Sequence, residues 1–230
     1  MHLHAKAAMI GLGVSLLTTA MATAQPVPQA PAWTDGFVGR LEALALLQTL
    51  NADLLSHDSA TLTLDRWCEA HRLASPAKIV AERVRGVDKA VTPDQRRLLG
   101  VDDAATIRYR RVRLSCGGHV LSEADNWYVP SRLTPEMNRT LDSSDIAFGR
   151  AVQALHFQRR TLSAELLWAP LPTGWEMGAA PSSTASGSLS IPAHVLQHRA
   201  VLTLPDGTPF SEVVETYTSE VLAFPQPPTH

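Results

Sequence analysis

The sequence predicts an α+β domain, an antiparallel sheet with helices packed on one face. Three observations predict it. Helix-period apolar spacing occurs near the start and then only in short, capped segments. Strand-like runs follow one another through the rest of the chain. Gly-Gly and Asp-Gly turns join successive strands, so that neighbours run antiparallel. The chain has 230 residues, 45% hydrophobic and 18% charged, a balance suited to a globular domain.

The elements follow in order. Residues 36–55 place Leu41, Leu44, Leu47 and Leu50 at helical intervals. Asp58-Ser59 offers an N-cap for a second helix carrying Leu62, Leu64, Trp67 and Cys68, and Pro76 follows it. Residues 77–87 alternate as a strand. Thr92-Pro93-Asp94 starts a short helix through Leu99. Residues 106–115 form a strand, Gly117-Gly118 a turn, and 119–129 the returning partner. Thr134-Pro135 caps a helix to Leu141, because proline suits the first helical turn. Residues 145–155 read as another short helix and 156–168 as a strand. Residues 170–190 are rich in Pro, Gly and Ser and form a long loop, either a mobile lid or a disordered insertion. Two last strands, 195–204 and 210–221, flank the turn at Asp206-Gly207.

Residues 1–24 lie outside the domain. Lys6, an apolar run from Ala7 to Leu17 and the Ala22-Thr23-Ala24 cleavage pattern make a secretory signal peptide, too short to span a membrane comfortably. A Pro-rich leader (25–35) precedes a domain at 36–225. A periplasmic or secreted monomer with no membrane anchor after cleavage is expected. In an oxidising compartment Cys68 and Cys116 are either one disulfide or two separate thiols. Net charge is −2, so nothing in the charge balance suggests nucleic acid, and no such partner is expected.

The sequence lacks a G-x-S-x-G elbow, H-E-x-x-H, paired C-x-x-C and a phosphate-binding loop. His194 and His198 are four apart but fall at a strand entrance without an obvious third ligand, so no metal is expected. Asn138-Arg139-Thr140 matches a glycosylation triplet. TIRYRRVR (106–113) carries four arginines, and strand alternation there groups Arg111 with Ile107 and Tyr109, taken as the apolar side. A guanidinium on that side needs a partner, either a ligand carboxylate or Glu215. In PDGTPFSEVVETY (205–217), Val213, Glu215 and Tyr217 share a face. Glu215 is then either a solvated residue on a half-buried face or a carboxyl in an apolar pocket.

RVRLSCGGHVLSEADNWYVP (111–130) resembles the central hairpin of the chorismate pyruvate-lyase (4-hydroxybenzoate synthase) family. LLSHDSAT (54–61), AFGRAV (147–152) and GTPFSEVVETY (207–217) resemble further motifs of that family, in the same order. The resemblance runs from about residue 40 to 225. It implies a single six-stranded antiparallel sheet with helices on one face and a ligand enclosed between them. It places the catalytic glutamate on Glu215, the substrate-carboxylate arginine on Arg111, and two ligand-binding backbone amides at Ala60 and Phe148. The arginine of the family's returning strand is Asn126 here, the 170–190 loop is longer, and typical members are cytoplasmic. The implied activity is elimination of pyruvate from chorismate to give 4-hydroxybenzoate, without metal or organic cofactor. Glu215, neutralised by desolvation, would act as general acid on the enol ether. The alternative is a non-catalytic binding protein for a small aromatic carboxylic acid.

Overall fold

Trp33 fastens the start of the described residues. Its indole N–H donates to the Leu222 carbonyl (3.0 Å) and its ring is buried beside Phe224. The computed structural model describes residues 33–179 and 187–228; the signal-peptide reading therefore lies outside the described residues. Helix α1 (Phe37–Leu55) follows, with Ala43, Leu47, Leu50 and Leu54 buried. Leu41 and Leu44 sit at the flanks of that stripe and are half-buried. Gly39 permits a close approach at the helix start, since a Cβ there would lie 2.2 Å from the Thr34 carbonyl oxygen.

Ser59 caps α2 (Ala60–Ala70), its hydroxyl accepting from the Leu62 amide. Strand β1 (Ile79–Val84) precedes α3 (Pro93–Leu99), which opens with a capping box at Thr92 and Gln95 and closes at Gly100 in the left-handed region. Strands β2 (Arg108–Cys116) and β3 (His119–Tyr128) form the expected hairpin. Thr134 caps α4 (Pro135–Ser143). The helix expected over 145–155 is shorter: α5 covers only Phe148–Ala151 and a 3-10 turn takes Gln153–Leu155. No side chain caps α5, and His156 turns left-handed at φ 48°, which stops further winding. Strands β4 (Gln158–Leu166), β5 (His194–Thr203) and β6 (Pro209–Thr218) complete the chain.

The six strands form one sheet in the order β1-β2-β3-β6-β5-β4, every neighbouring pair antiparallel. This is the α+β class the sequence predicts. Helix α1 packs on β5, and α2 on β1 and β2. The larger apolar cluster lies between these helices and the sheet, with Leu47, Leu64, Leu121, Leu196 and Tyr217 at its centre. A second cluster, with Tyr128, Leu141, Phe148 and Phe210, sits under α4 and α5.

Cys68 of α2 is disulfide-bonded to Cys116 at the end of β2, which decides between the two readings of the cysteines. The flanks of the 170–190 loop are packed: Leu171 and Leu189 are buried, and Arg40 donates to the Pro170 carbonyl (2.9 Å). The amide of Asn138 donates to the Pro130 and Thr134 carbonyls, so this side chain holds the turn before α4.

Candidate functional site

Side chains alternate across each strand, so each strand turns one set of side chains toward α1 and α2 and the other set to the opposite face. On β2 the inward residues are Arg110, Val112 and Leu114. On β3 they include Ala124 and Asn126, and on β6 Val213 and Glu215. These residues line a cavity that opens to solvent. The strand register brings them together: Asn126 is opposite both Arg110 and Val213, and Ala124 is opposite both Val112 and Glu215. The first turn of α2 and the start of α5 close the cavity from the helix side, with Phe157, Leu202 and Arg159 filling the remaining wall.

Two guanidinium groups enter this apolar space. Arg110 is 3% exposed; its Nη2 donates to the Ser144 carbonyl (3.0 Å), while Nε and Nη1 are buried with no partner. Burial, helped by nearby Arg83, pulls its pKa down to about 10, which still leaves it charged at neutral pH. Arg159 extends from β4 across β5 and donates from Nη2 to Glu215 Oε2 at 2.7 Å. Their side chains are 4% and 8% exposed, so the pair is almost fully desolvated. Burial works against the charge on Arg159, but Glu215 outweighs it and raises its pKa.

Glu215 Oε2 also accepts from the Tyr217 hydroxyl (3.2 Å). Burial, and then the Glu215 charge, push the Tyr217 phenol well above its ordinary pKa, so it stays a donor. His198 is the strand neighbour of Glu215 on β5 and is fully buried. Its Nε2 lies 2.8 Å from Asn51 Oδ1 of α1, and Nδ1 has no partner. Burial pulls the imidazole pKa down to about 4, so it is neutral at pH 7. Among the described residues, no group of three or more His, Cys, Asp or Glu side chains is placed to hold a metal ion.

The chain is 58% identical over 206 residues to the uncharacterized protein y4mC of Sinorhizobium fredii, an alignment covering 89% of this chain and 87% of that protein. This chain belongs to the y4mC family. No family model matches it. Among solved structures it is similar to PhnF of Mycobacterium smegmatis (TM-score 0.44, 13% identity, 71% of this chain and 65% of that one). It is also similar to the effector domain of PhnF (TM-score 0.42, 14% identity, 67% and 88%). A GntR-family transcriptional regulator from Bacillus cereus matches with a TM-score of 0.38 and 10% identity over 66% of this chain and 99% of that one.

In this member of the y4mC family, Glu215, Ala60 and Phe148 all line the cavity, whereas Arg111 does not. Arg111 lies on the outer face, where its Nη2 donates to Glu123 (2.9 Å) and its Nη1 lies 3.7 Å from Asp125. Those two acids outweigh its partial burial and raise its pKa. The expectation for Arg111 fails by one residue. The inward face of β2 is set by Val112, Leu114 and Cys116, and alternation back from them reaches Arg110. A one-residue change of register turns a side chain to the opposite face. The surroundings of Glu215 also differ from the apolar pocket expected for it, because Arg159 supplies a charged partner. Sequence reasoning missed Arg159. The available signal was the demand itself: a carboxylate between Val213 and Tyr217 requires a cation, and β4 carries Arg159-Arg160 directly after its first residue, Gln158.

Proposed function

We propose that the cavity binds a small aromatic carboxylic acid and that, with chorismate as substrate, the protein eliminates pyruvate to release 4-hydroxybenzoate. The observation that carries the reading is Arg110: a cavity-lining residue whose buried guanidinium has two unpartnered nitrogens, beside the apolar side chains of the same wall. An unpaired buried charge is costly, and a ligand carboxylate would neutralise it through charge-assisted hydrogen bonds. Apolar Val112, Leu114, Phe148 and Phe157 suit the ring. The amides of Ala60 and Phe148, at the starts of α2 and α5, are the further donors the lyase resemblance assigns to that carboxylate.

In the lyase reading Glu215 delivers a proton to the departing enolpyruvyl group as the ring C3–O bond breaks; the ring then loses its C4 proton, which restores the acid, enolpyruvate tautomerises to pyruvate, and aromatisation supplies the driving force. Glu215 must first leave its pair with Arg159 or share it. The disulfide between Cys68 and Cys116 supports the export reading, since such bonds persist in oxidising compartments. The Arg159–Glu215 pair favours a second reading, a binding protein for the same acid, because a carboxylate already committed to a guanidinium is a poor proton donor. Purified protein mixed with chorismate separates the two. Release of 4-hydroxybenzoate and pyruvate above the uncatalysed rate supports the lyase; tight binding of 4-hydroxybenzoate without turnover leaves the binding protein.

A further inference from the structure

Arg110 stands on two walls. It lines the cavity described above, and it also lines a separate hollow at the open edge of the sheet, beside the end of β1. The register of this edge strand sets Arg83 opposite Val112, on the inward face that Arg110 shares. Arg85 follows Val84, where the chain leaves the strand, and lines the same hollow. All three guanidinium groups lean on one short segment around the end of α4. Arg83 Nη1 donates to the Asp142 carbonyl (3.1 Å), Arg110 Nη2 to the Ser144 carbonyl, and Arg85 Nη2 lies 3.2 Å from Asp145 Oδ1. Both oxygens of the Asp142 carboxylate are taken by Arg108 (2.9 and 2.7 Å). Four guanidinium groups therefore meet two carboxylates, and positive charge is left over. Among the described residues no acid lines the hollow itself, and Arg111, also on its wall, is already paired with Glu123 and Asp125.

We propose that this hollow is a second anion site, which takes a tetrahedral oxyanion, phosphate or a phosphate monoester, on Arg83, Arg85 and Arg110. Arg110 creates the demand, because its Nε and Nη1 are buried without partners. Arg85 is available to a ligand, because its pair with Asp145 is open to water on both sides and such pairs are weak. A phosphate group carries a charge of about −1.5 to −2 near pH 7 and presents three acceptor oxygens, one for each guanidinium. A carboxylate offers a single charge and two oxygens, which leaves one of the three arginines unanswered. Guanidinium forks also suit phosphate oxygens in geometry. Arg110 is common to the hollow and the cavity. A phosphate in one and a carboxylate in the other draw on the same charge, so each weakens the other by the same factor. The site in the hollow stands apart from what the cavity binds; only this coupling rests on the aromatic-acid reading.

Titration calorimetry near pH 7, in a phosphate-free buffer at fixed ionic strength, tests this with inorganic phosphate and glycerol 3-phosphate as probes. The wild type should bind phosphate, and Arg85→Gln should weaken it about tenfold or more, the loss expected for a charge-assisted hydrogen bond. Arg113→Gln removes an arginine of β2 that lies outside the hollow and pairs with Glu123, so phosphate affinity should stay essentially unchanged. No phosphate binding to the wild type, or equal losses in the two variants, overturns the site, since the attraction would then follow net charge alone. Tighter binding of glycerol 3-phosphate than of phosphate assigns the site to a monoester; the reverse order assigns it to the free ion. Saturating phosphate should weaken 4-hydroxybenzoate several-fold in the wild type. In Arg85→Gln the same phosphate concentration should have little effect, while 4-hydroxybenzoate alone binds as in the wild type. A 4-hydroxybenzoate affinity unmoved by bound phosphate overturns the sharing of Arg110. If 4-hydroxybenzoate does not bind the wild type at all, the reading of the cavity fails, and the phosphate titrations still decide the hollow.

Discussion

Arg110 is an expense to the fold unless a ligand uses it. Two of its nitrogens are buried without partners, and the largest charged influence on it, Arg83, is repulsive. Replacing a poorly compensated buried charge by an apolar side chain of similar length is often neutral or stabilising by roughly 1–4 kcal/mol. Arg110→Met should therefore melt at or above the wild-type temperature, yet bind 4-hydroxybenzoate about tenfold or more weakly, the loss expected for a charge-assisted hydrogen bond. Arg111→Met probes the other face. Its pairs with Glu123 and Asp125 are partly exposed, so about 1 kcal/mol or less of stability should be lost and acid binding left unchanged. Calorimetric melting and binding on the two variants decides the matter: a binding loss in Arg111→Met without one in Arg110→Met would reverse the assignment of faces.

At the scale of elements, the disulfide joins the helix that starts at the cavity edge to the strand that carries Arg110. Cys68 lies on α2 and Cys116 ends β2, separated by 48 residues of sequence. Closing a loop of that order in the unfolded chain is worth about 2–4 kcal/mol. The Cys68→Ala/Cys116→Ala variant should unfold at lower denaturant by that margin, and reductant should shift the wild type by a similar amount and leave the variant unmoved. Most elements were legible because their signals are local. Thr92 and Thr134 cap their helices through their own side chains, and the Gly117-Gly118 turn sets the β2–β3 hairpin. The inward face of β2 was harder to read: the arginine run masks the alternation, and only Val112, Leu114 and Cys116 beyond it reveal the core side. The Arg159–Glu215 pair joins residues 56 apart in sequence and on strands separated by β5, so no local pattern announces it. The disulfide was legible as a possibility only, since spacing gives no distance.

For the molecule as a whole, buried His198, bonded to Asn51 of the long helix α1 and lying beside Glu215 in the strand register, makes the fold sensitive to acid. His198 is fully buried and neutral, with its pKa pulled down to about 4 by burial. In the unfolded chain it would titrate near 6.5. The folded state therefore binds fewer protons than the unfolded state between those values. Stability from this residue is fully present above about pH 6.5 and is lost as pH falls toward 4, by a few kcal/mol at most. Glu215 partly offsets the shift by favouring the imidazolium, and Arg159 reinforces it. His198→Gln keeps a side chain able to hydrogen-bond Asn51 but cannot titrate. Denaturant unfolding of wild type and variant, measured from pH 7 to 4, should show a steeper decline in the wild type through this window. Parallel curves would mean that His198 is protonated without penalty in the fold, and the acid sensitivity would then have to come from the carboxylates.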